Sequence, residues 1–349
     1  MKKFLFLLLA SAVSINVLAD SKVVIPDSTG FKFTDTKVIR TTPVKDQNKS
    51  GTCWCYSTNS FFENEILRLT GKEVHLSEGF VVNHCYYDKA IKYIRMDGTI
   101  NKNTRGKLTP AWMDGLKGIL DGYMGKMPET FVYEGKTWTP QSWAASLGIN
   151  LDDYVPICSF NHHPYYQPFI LEVADNWLWS SYQNVPIDEL MEIANYAIDN
   201  GYSIAWGADV SEKGFKWRNG YAILPVKKEV PDAEGTDMAR WTKLSDKDRE
   251  AELWDIKGPV KEQWVTEEER QEMFDNKETT DDHGMVIMGK AVDQEGNRYF
   301  KVQNSWDTNQ LYEGYFYCSE AFFRAKTLNI LIHKDAIPAK IAKKMGIKK

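Results

Sequence analysis

The stretch of sequence that decides the fold is Gln47-Asn48-Lys49-Ser50-Gly51-Thr52-Cys53-Trp54. Phe62, Ile66 and Leu69 follow with the spacing of one helix face, so this loop leads into a predicted helix. Cys53 is therefore expected at the helix N-terminus, where unpaired N–H groups and the helix dipole favour an anion and lower the pKa of a thiol. The Gln47 amide and the Cys53 backbone N–H together predict an oxyanion hole.

A second pair of segments supplies a base for this thiol and a group that orients the base. His283 begins an apolar, strand-like run, and Asn304 ends a second run that follows the turn residues 293–297. Two such runs are typical of an antiparallel hairpin, which brings the end of the second strand beside the start of the first. We therefore expect Asn304 to hold the His283 imidazole in one tautomer and Trp306 to shield their hydrogen bond from water.

Taken in order, these segments resemble the papain-type cysteine peptidases: Gln47, Gly51-Thr52-Cys53-Trp54, Asp282-His283 and Asn304-Ser305-Trp306. The local signature of that family is Gly, then Ser or Ala, then Cys and an aromatic residue, with His and Asn far downstream. Thr52 replaces the Ser or Ala here, and Asp307 stands where the family usually has Gly. The resemblance implies an α+β, papain-like two-lobed fold, in which a helical lobe faces an antiparallel β lobe and the site lies in the cleft.

The spacing between the two halves of the site selects a branch of the family. His283 follows Cys53 by 230 residues, whereas the papain pattern has a gap of about 130–150 residues. A large insertion is therefore expected within about residues 86–280, and its order of elements resembles the bleomycin hydrolase or aminopeptidase C branch. That resemblance implies an aminopeptidase that forms a homo-oligomer, a hexamer in that branch.

The C-terminal residues 336–349 form a basic tail that ends at Lys349. The resemblance implies that this tail lies in the cleft, that its terminal carboxylate holds the free amine of a substrate, and that cleavage is thereby limited to N-termini. The alternative is the solvated basic end of a helix. Residues 20–46 are only 27 positions, too few for a large inhibitory prosegment, so a restraint of another kind is expected.

Residues 1–19 predict a secretory signal peptide. Lys2 and Lys3 precede an apolar run from Phe4 to Leu18, and Ala19 is a small residue before the expected cleavage site. The alternative is an uncleaved anchor helix, although the run is short for a span of about 20 residues. We therefore expect a secreted or periplasmic protein, no stable membrane insertion after cleavage, and a peptidase domain over residues 20–335.

Composition excludes several functional classes. Of the 349 residues, 43% are hydrophobic and 26% are charged, which is ordinary for a globular protein. The 43 basic and 48 acidic residues give a net charge of −5, which does not favour nucleic-acid binding. The single long apolar run, within residues 1–19, excludes a multi-span membrane protein.

The other cysteines and histidines predict no metal centre. Five cysteines are an odd number, so at least one thiol is unpaired or pairs between chains. Cys55 is interpreted as a core residue rather than a second nucleophile. The adjacent His162 and His163 side chains diverge and lack a third ligand, so they are interpreted as loop residues. No metal and no organic cofactor is expected, and the remaining cysteines are expected in the core or in disulfides: Cys85, Cys158 and Cys318.

Together these features predict an exported cysteine peptidase that hydrolyses peptide bonds through a thiol acyl-enzyme. Cys53 is the expected nucleophile, in a thiolate form paired with a protonated His283. Asn304 is expected to orient the imidazole, and Gln47 is expected to donate a hydrogen bond to the oxyanion. An aminopeptidase is the leading hypothesis. A papain-like endopeptidase or thiol amidase is the close alternative, and a catalytically inactive binding protein with the same fold is the more distant one. The simplest alternatives for single residues are a buried structural Cys53 and a core His283 with satisfied hydrogen bonds.

Overall fold

The computed structural model describes residues 29–96, 111–173, 176–226 and 254–349. The predicted signal peptide and part of the predicted insertion lie outside these ranges. Of the helices that are described, none is long and apolar enough to cross a membrane. The described residues form a helical part and a large sheet, which is the predicted α+β arrangement.

The first half of the described chain carries most of the helical part. The first helix ends at Gly71, whose φ of 71° suits glycine and whose N–H bonds the Leu67 carbonyl oxygen at 2.9 Å. The fourth helix begins with a capping box between Thr139 and Ser142. The elements are α1 (Cys53–Thr70), α2 (Glu78–Met96), α3 (Ala111–Met124) and α4 (Pro140–Ser146), with a small hairpin of β2 (Phe131–Tyr133) and β3 (Lys136–Trp138).

The described strands form a sheet of 11 strands in which most pairs are antiparallel. Its order is β5-β6-β4-β13-β7-β10-β11-β12-β9-β8, and β1 pairs with β10 outside this path. The bounds are β1 (Thr34–Val38), β4 (Tyr154–Cys158), β5 (Pro168–Ile170), β6 (Ser181–Asn184), β7 (Ile204–Ala208), β8 (Phe215–Lys216), β9 (Tyr221–Ala222), β10 (His283–Val292), β11 (Arg298–Gln303), β12 (Tyr315–Ser319) and β13 (Thr327–His333).

The main core lies between the sheet and the helices of the second half. The next helix buries Leu190, Ile193, Ala194 and Ala197, which have the spacing of one helix face. These side chains belong to one apolar cluster with the sheet residue Trp206. The remaining helices are α5 (Ile187–Asp199), α6 (Glu267–Asp275), α7 (Glu320–Lys326) and α8 (Ala339–Lys344).

The hairpin that the sequence predicted is confirmed. β10 and β11 pair antiparallel, with Val286 opposite Gln303. The Asp293 carboxylate accepts hydrogen bonds from two backbone N–H groups of the connecting turn. β10 also pairs with β7, which places His283 opposite Ala208. The start of β10 is therefore fixed from both sides, and α1 packs against this strand.

The sequence predicted strands and short turns from Met285 to about Ile332, and this prediction is wrong for α7. The Ser319 side chain accepts a hydrogen bond from the Phe322 N–H and caps this helix, which separates β12 from β13. Every residue of α7 is buried. A helix without an exposed polar face lacks the amphipathic pattern by which a helix is distinguished from a buried strand.

Candidate active site

Cys53 is the first residue of α1. The Thr52 side chain does not cap this helix, because its hydroxyl hydrogen-bonds the Ser50 hydroxyl, and the first turn contains no acidic residue. The positive end of the helix dipole is therefore not offset by a carboxylate of its own first turn. The thiol is half-buried, and its Sγ lies 4.0 Å from the carbonyl oxygen of Asp282, the residue before His283.

His283 is the first residue of β10, and its ring is held on two sides. Its Nε2 lies 2.7 Å from Asn304 Oδ1, and the Trp306 ring stacks on the imidazole with the ring centroids 4.4 Å apart. Asn304 Oδ1 also accepts the Ser305 backbone N–H at 2.7 Å. Because that contact identifies Oδ1 as an acceptor, His283 Nε2 carries the donated hydrogen and Nδ1 is left as the basic nitrogen.

The charge state of His283 differs from the sequence-based expectation. Burial lowers the pKa of His283 to about 4, and the hydrogen bond to Asn304 and the charge of Asp282 oppose this effect only in part. The imidazole is therefore neutral at neutral pH, rather than protonated as expected. The cause is tertiary, since the stacked Trp306 ring and the neighbouring strands keep water away from the ring. A neutral imidazole with its basic nitrogen unprotonated suits a general base.

Gln47 is held by Ser305, the residue after Asn304. The Gln47 N–H donates to the Ser305 carbonyl oxygen at 2.8 Å, and Ser305 Oγ donates to Gln47 Oε1 at 2.7 Å. Since Oε1 is engaged as an acceptor, the orientation of the amide is set and Nε2 remains as the donor. A donor of this kind is what the predicted oxyanion hole requires.

Gly284 allows α1 and β10 to approach closely. A Cβ atom at this position would lie 2.5 Å from Ser57 Oγ and 3.5 Å from the Cys53 carbonyl oxygen. The first separation is shorter than side-chain atoms tolerate, so a larger residue would push the strand away from the helix. Glycine at position 284 thus allows α1 and β10 to lie close enough for Cys53 and His283 to line the same cavity.

Cys53 and His283 line one cavity of about 260 Å³ between α1 and the sheet. Ala205, Gly207 and Asn329 form part of its wall on the sheet side. Ligand pockets commonly measure about 300–1,000 Å³, so this cavity is slightly smaller than that range. A thiol, an imidazole and an adjacent cavity are the parts that acyl transfer from a bound substrate needs.

Of the two alternatives for the C-terminal tail, the described structure does not show the one in which the tail enters the cleft. The Lys349 Nζ contacts the Asp335 carbonyl oxygen at 3.2 Å and lies 5.7 Å from the centre of the Tyr196 ring. Neither of these residues lines the cavity. The physical reason is that Ile341 and Met345 are buried in the main core, which holds the tail against α5.

The other cysteines and the adjacent His162 and His163 do not line the cavity. All five cysteines lie in the described ranges and none of them forms a disulfide, so the disulfide alternative is not realised. Cys55 is fully buried, as predicted, and burial raises the pKa of its thiol to about 12. His162 contacts Gln271 at 3.2 Å, and His163 stacks on Phe169. Among the described residues, no group of three or more His, Cys, Asp or Glu is placed to hold a metal ion.

A charged network beside His283 was not predicted from the sequence. Asp209 and Lys326 are both fully buried and form an ion pair of 3.4 Å between Oδ2 and Nζ. Asp209 directly follows the strand-like run 204–208, so a carboxylate at the end of an apolar strand was the available signal. Lys326 gave no signal, because its contacts come from segments distant in sequence.

Two regions of the chain match known families. Residues 28–103 match the papain family of cysteine proteases, and residues 234–348 match the peptidase C1-like family. The first region contains Gln47 and Cys53, and the second contains His283 and Asn304. The two halves of the candidate site therefore lie in separately matched regions.

Individual relatives and a solved structure agree with these matches. The chain is 24% identical over 199 residues to aminopeptidase C of Streptococcus thermophilus, a match that covers 55% of this chain and 38% of that protein. It is 25% identical over 225 residues to aminopeptidase G of Lactobacillus delbrueckii subsp. lactis, covering 60% and 45%. The chain thus spans less than half the length of these aminopeptidases.

The fold is shared with a solved structure. The crystal structure of PepW from Lactobacillus rhamnosis superposes with a TM-score of 0.62 at 18% identity, covering 90% of this chain and 84% of that one. At this identity, the likeness establishes the fold. By its two matched regions and its fold, this chain is similar to the papain-like cysteine peptidases, and the relatives named above are aminopeptidases.

Proposed function

We propose that this protein is a cysteine peptidase that hydrolyses peptide bonds through an acyl-enzyme at Cys53, and that it acts as an aminopeptidase. The observation that carries the proposal is the buried hydrogen bond of 2.7 Å between His283 and Asn304, in a cavity that the Cys53 thiol shares. The names of the similar proteins, aminopeptidases C and G, support the choice of aminopeptidase.

The mechanism follows from the donors and acceptors of the site. His283 Nδ1 takes the thiol proton as the Cys53 sulfur attacks the peptide carbonyl carbon, and Gln47 Nε2 with the Cys53 N–H stabilises the resulting oxyanion. The imidazolium then donates its proton to the leaving amine as the C–N bond breaks. Water, deprotonated by the same imidazole, attacks the thioester, and the proton returns to the sulfur as the acid product leaves.

One observation favours an endopeptidase as the second candidate. In the described structure, the C-terminal tail packs on α5 rather than in the cavity, so its carboxylate does not hold the amine of a substrate there. An aminopeptidase of this chain therefore needs a different group, or a different subunit, to recognise the free N-terminus. If neither supplies that recognition, the site accepts chains with blocked N-termini.

The test compares one peptide with a free N-terminus and the same peptide with an acetylated N-terminus. We expect cleavage of the free peptide, loss of activity on the acetylated one, and complete loss of activity in Cys53→Ala. Cys85→Ala is the matched control, because Cys85 is also a half-buried free thiol and lies on α2. Equal cleavage of both peptides would assign the endopeptidase, and absence of cleavage by the folded wild-type chain would remove the enzyme proposal.

We further propose that residues 1–19 direct export to the periplasm or the medium and that the mature chain forms a homo-oligomer. The three-part pattern of the N-terminal segment supports export. N-terminal sequencing of the protein recovered outside the cytoplasm is expected to begin at Asp20, and a protein that retains Met1 there would contradict cleavage. Light scattering after size-exclusion chromatography tests the assembly, and a monomer would contradict the oligomer.

A further inference from the structure

Lys326, the last residue of α7, is a lysine with no exposure to solvent. Its Nζ lies 3.4 Å from Asp209 Oδ2 and 2.9 Å from Glu212 Oε1, and it donates to the Glu278 carbonyl oxygen at 2.7 Å. These contacts tie α7 to the segment after β7 and to the segment that leads into His283. A buried cation thus joins two segments that meet at the start of β10.

Asp209 occupies the position after β7, whose last residue, Ala208, pairs with His283. The Asp209 N–H donates to the Lys326 carbonyl oxygen at 3.0 Å. Its Oδ1 accepts hydrogen bonds from the Ser211 N–H at 2.8 Å and the Ser211 hydroxyl at 2.7 Å. Both the backbone and the side chain of Asp209 are therefore fixed beside the strand position of His283.

The Ser211 N–H connects Asp209 to Asp282, because it lies 2.8 Å from Asp209 Oδ1 and 3.1 Å from Asp282 Oδ2. Burial raises the pKa of Asp209. Burial also acts to raise the pKa of Asp282, but the hydrogen bonds that it accepts, among them those from Thr280 and Ser211, outweigh this effect and lower that pKa. Asp282 is therefore an anion directly before His283.

We propose that the buried Asp209–Lys326 pair is a positioning device for His283, acting through Asp282 and the segment 278–282. The proposal rests on the proposed peptidase function, because it gives His283 the role of proton carrier. Neither member of the pair lines the cavity, so neither is assigned a contact with substrate. The Asp282 carbonyl oxygen, 4.0 Å from Cys53 Sγ, shows how closely this segment approaches the thiol.

A contribution to the stability of the fold does not by itself explain why this ion pair is buried. The desolvation of two buried charges offsets much of their mutual attraction, and apolar residues of similar volume are often as stable in such places. A positioning role gives a stronger reason, because a displacement of about 1 Å in a catalytic group can reduce a rate about 100-fold. Lys326 holds the segment 278–282 through the Glu278 carbonyl oxygen at 2.7 Å and the Thr279 hydroxyl at 3.2 Å.

The first test replaces Asp209 by two residues of similar size. The amide oxygen in Asp209→Asn still accepts the hydrogen bonds from Ser211, but the charge that attracts Lys326 is lost, so kcat is expected to fall about threefold. Leucine in Asp209→Leu keeps neither interaction, so kcat is expected to fall at least about tenfold while KM changes less than about threefold. Asp199→Leu is the matched control, because Asp199 is an exposed carboxylate paired with Lys290 at the surface.

The second readout is independent of peptide hydrolysis. The rate of Cys53 alkylation by iodoacetamide is measured against pH, and the profile is expected to shift in Asp209→Leu but not in Asp199→Leu. If Asp209→Leu does not fold, as judged by circular dichroism and thermal melting, Thr280→Val is used instead. That variant removes only the hydroxyl that donates to Asp282 Oδ1 at 2.8 Å, and the same shift is expected.

The outcomes separate this proposal from the proposed function. If the wild-type chain cleaves no peptide, but the alkylation profile is altered in Asp209→Leu or Thr280→Val, then the peptidase assignment is lost and the positioning role is kept. A folded Asp209→Leu or Thr280→Val variant with the wild-type profile and wild-type kcat overturns the positioning role. Equal losses of kcat in Asp209→Asn and Asp209→Leu also overturn it, because the Ser211 hydrogen bonds that asparagine retains would then not matter.

Discussion

At the scale of single residues, the proposed oxyanion hole depends on how Gln47 is oriented. The Ser305 hydroxyl engages the amide oxygen, and the Ser305 carbonyl oxygen accepts the Gln47 N–H. Ser305 belongs to the same segment as Asn304, so one short run of residues orients both the imidazole and the amide. This shared support couples two parts of the site that lie far apart in sequence.

Gln47→Leu is expected to lower kcat about 100-fold with little change in KM, because the donor acts on charge that develops in the transition state. Ser305→Ala is expected to lower kcat by a smaller factor, about tenfold, because the amide is retained but loses its orientation. Steady-state kinetics on the free peptide measures both effects. A Ser305→Ala variant with wild-type kcat would show that the hydroxyl is not needed to orient Gln47.

His283 also makes the stability of the fold depend on pH. Burial lowers its pKa to about 4 in the folded protein, against 6.5 for the unperturbed side chain. Between these values the unfolded chain binds more protons than the folded chain, so stability falls as the pH falls from 6.5 to 4. The contribution is at most about 3 kcal/mol, since each pKa unit corresponds to about 1.4 kcal/mol.

The measurement is urea unfolding at pH 7 and at pH 4.5 for wild type and His283→Gln. We expect wild type to lose more stability between the two pH values than the variant does, by about 2–3 kcal/mol. Glutamine is the suitable replacement because it can donate to Asn304 and does not titrate. Equal losses in the two proteins would show that His283 is not held in its neutral form by the fold.

At the scale of elements, the contact between α1 and β10 determines whether the two halves of the site meet. The contact depends on Gly284 and Ser57, since a Cβ at position 284 would lie 2.5 Å from Ser57 Oγ. Asn304 and Trp306 follow the neighbouring strand β11, so a shift of the hairpin at this contact would also change the position of the His283–Asn304 pair relative to Cys53.

Gly284→Ala is expected to destabilise the fold by about 1–3 kcal/mol, because the extra methyl group overpacks the contact. It is also expected to lower kcat, because the strand that carries His283 is displaced from α1. Adding Ser57→Ala removes the closest atom and leaves the Ser57 Cβ at 3.3 Å, so the double variant should recover part of both losses. Thermal melting and kinetics measure these effects, and a double variant no better than Gly284→Ala would contradict this account of the contact.

At the scale of the whole molecule, the C-terminal segment is part of the core. Ile341 and Ala342 of α8 and the following Met345 are buried with residues of α5 and the sheet, and Lys344 forms an ion pair with Glu189. The tail therefore covers the end of the core that lies beside α5. Its place in the chain resembles that of a cleft-entering tail, but its contacts are those of a structural element.

Truncation after Pro338 is expected to destabilise the protein by at least about 2 kcal/mol, because it removes the buried side chains of Ile341 and Met345. Removal of only Lys348 and Lys349 is the control, and it is expected to leave both the Tm and the preference for a free N-terminus unchanged. Thermal melting and the pair of free and acetylated peptides measure these effects. A loss of that preference on removing the two lysines would restore the tail as the group that recognises the substrate.

The local features near Cys53 and His283 could be predicted from sequence because they depend on neighbours in the chain. The Gly51-Thr52-Cys53-Trp54 run predicted the helix N-terminus, and the turn at 293–297 predicted the hairpin that pairs β10 with β11. Short-range hydrogen bonding and the periodicity of apolar residues carry that information. α7 was missed because complete burial removes the amphipathic signal from a helix.

Tertiary structure decided the properties that depend on water exclusion and on contacts distant in sequence. The neutral state of His283 follows from its burial against Trp306, and the Asp209–Lys326 pair joins residues 117 positions apart. The position of the tail follows from the core that receives Ile341 and Met345. In each case the deciding quantity is the surface removed from water when separate segments pack, and that quantity exists only in the folded chain.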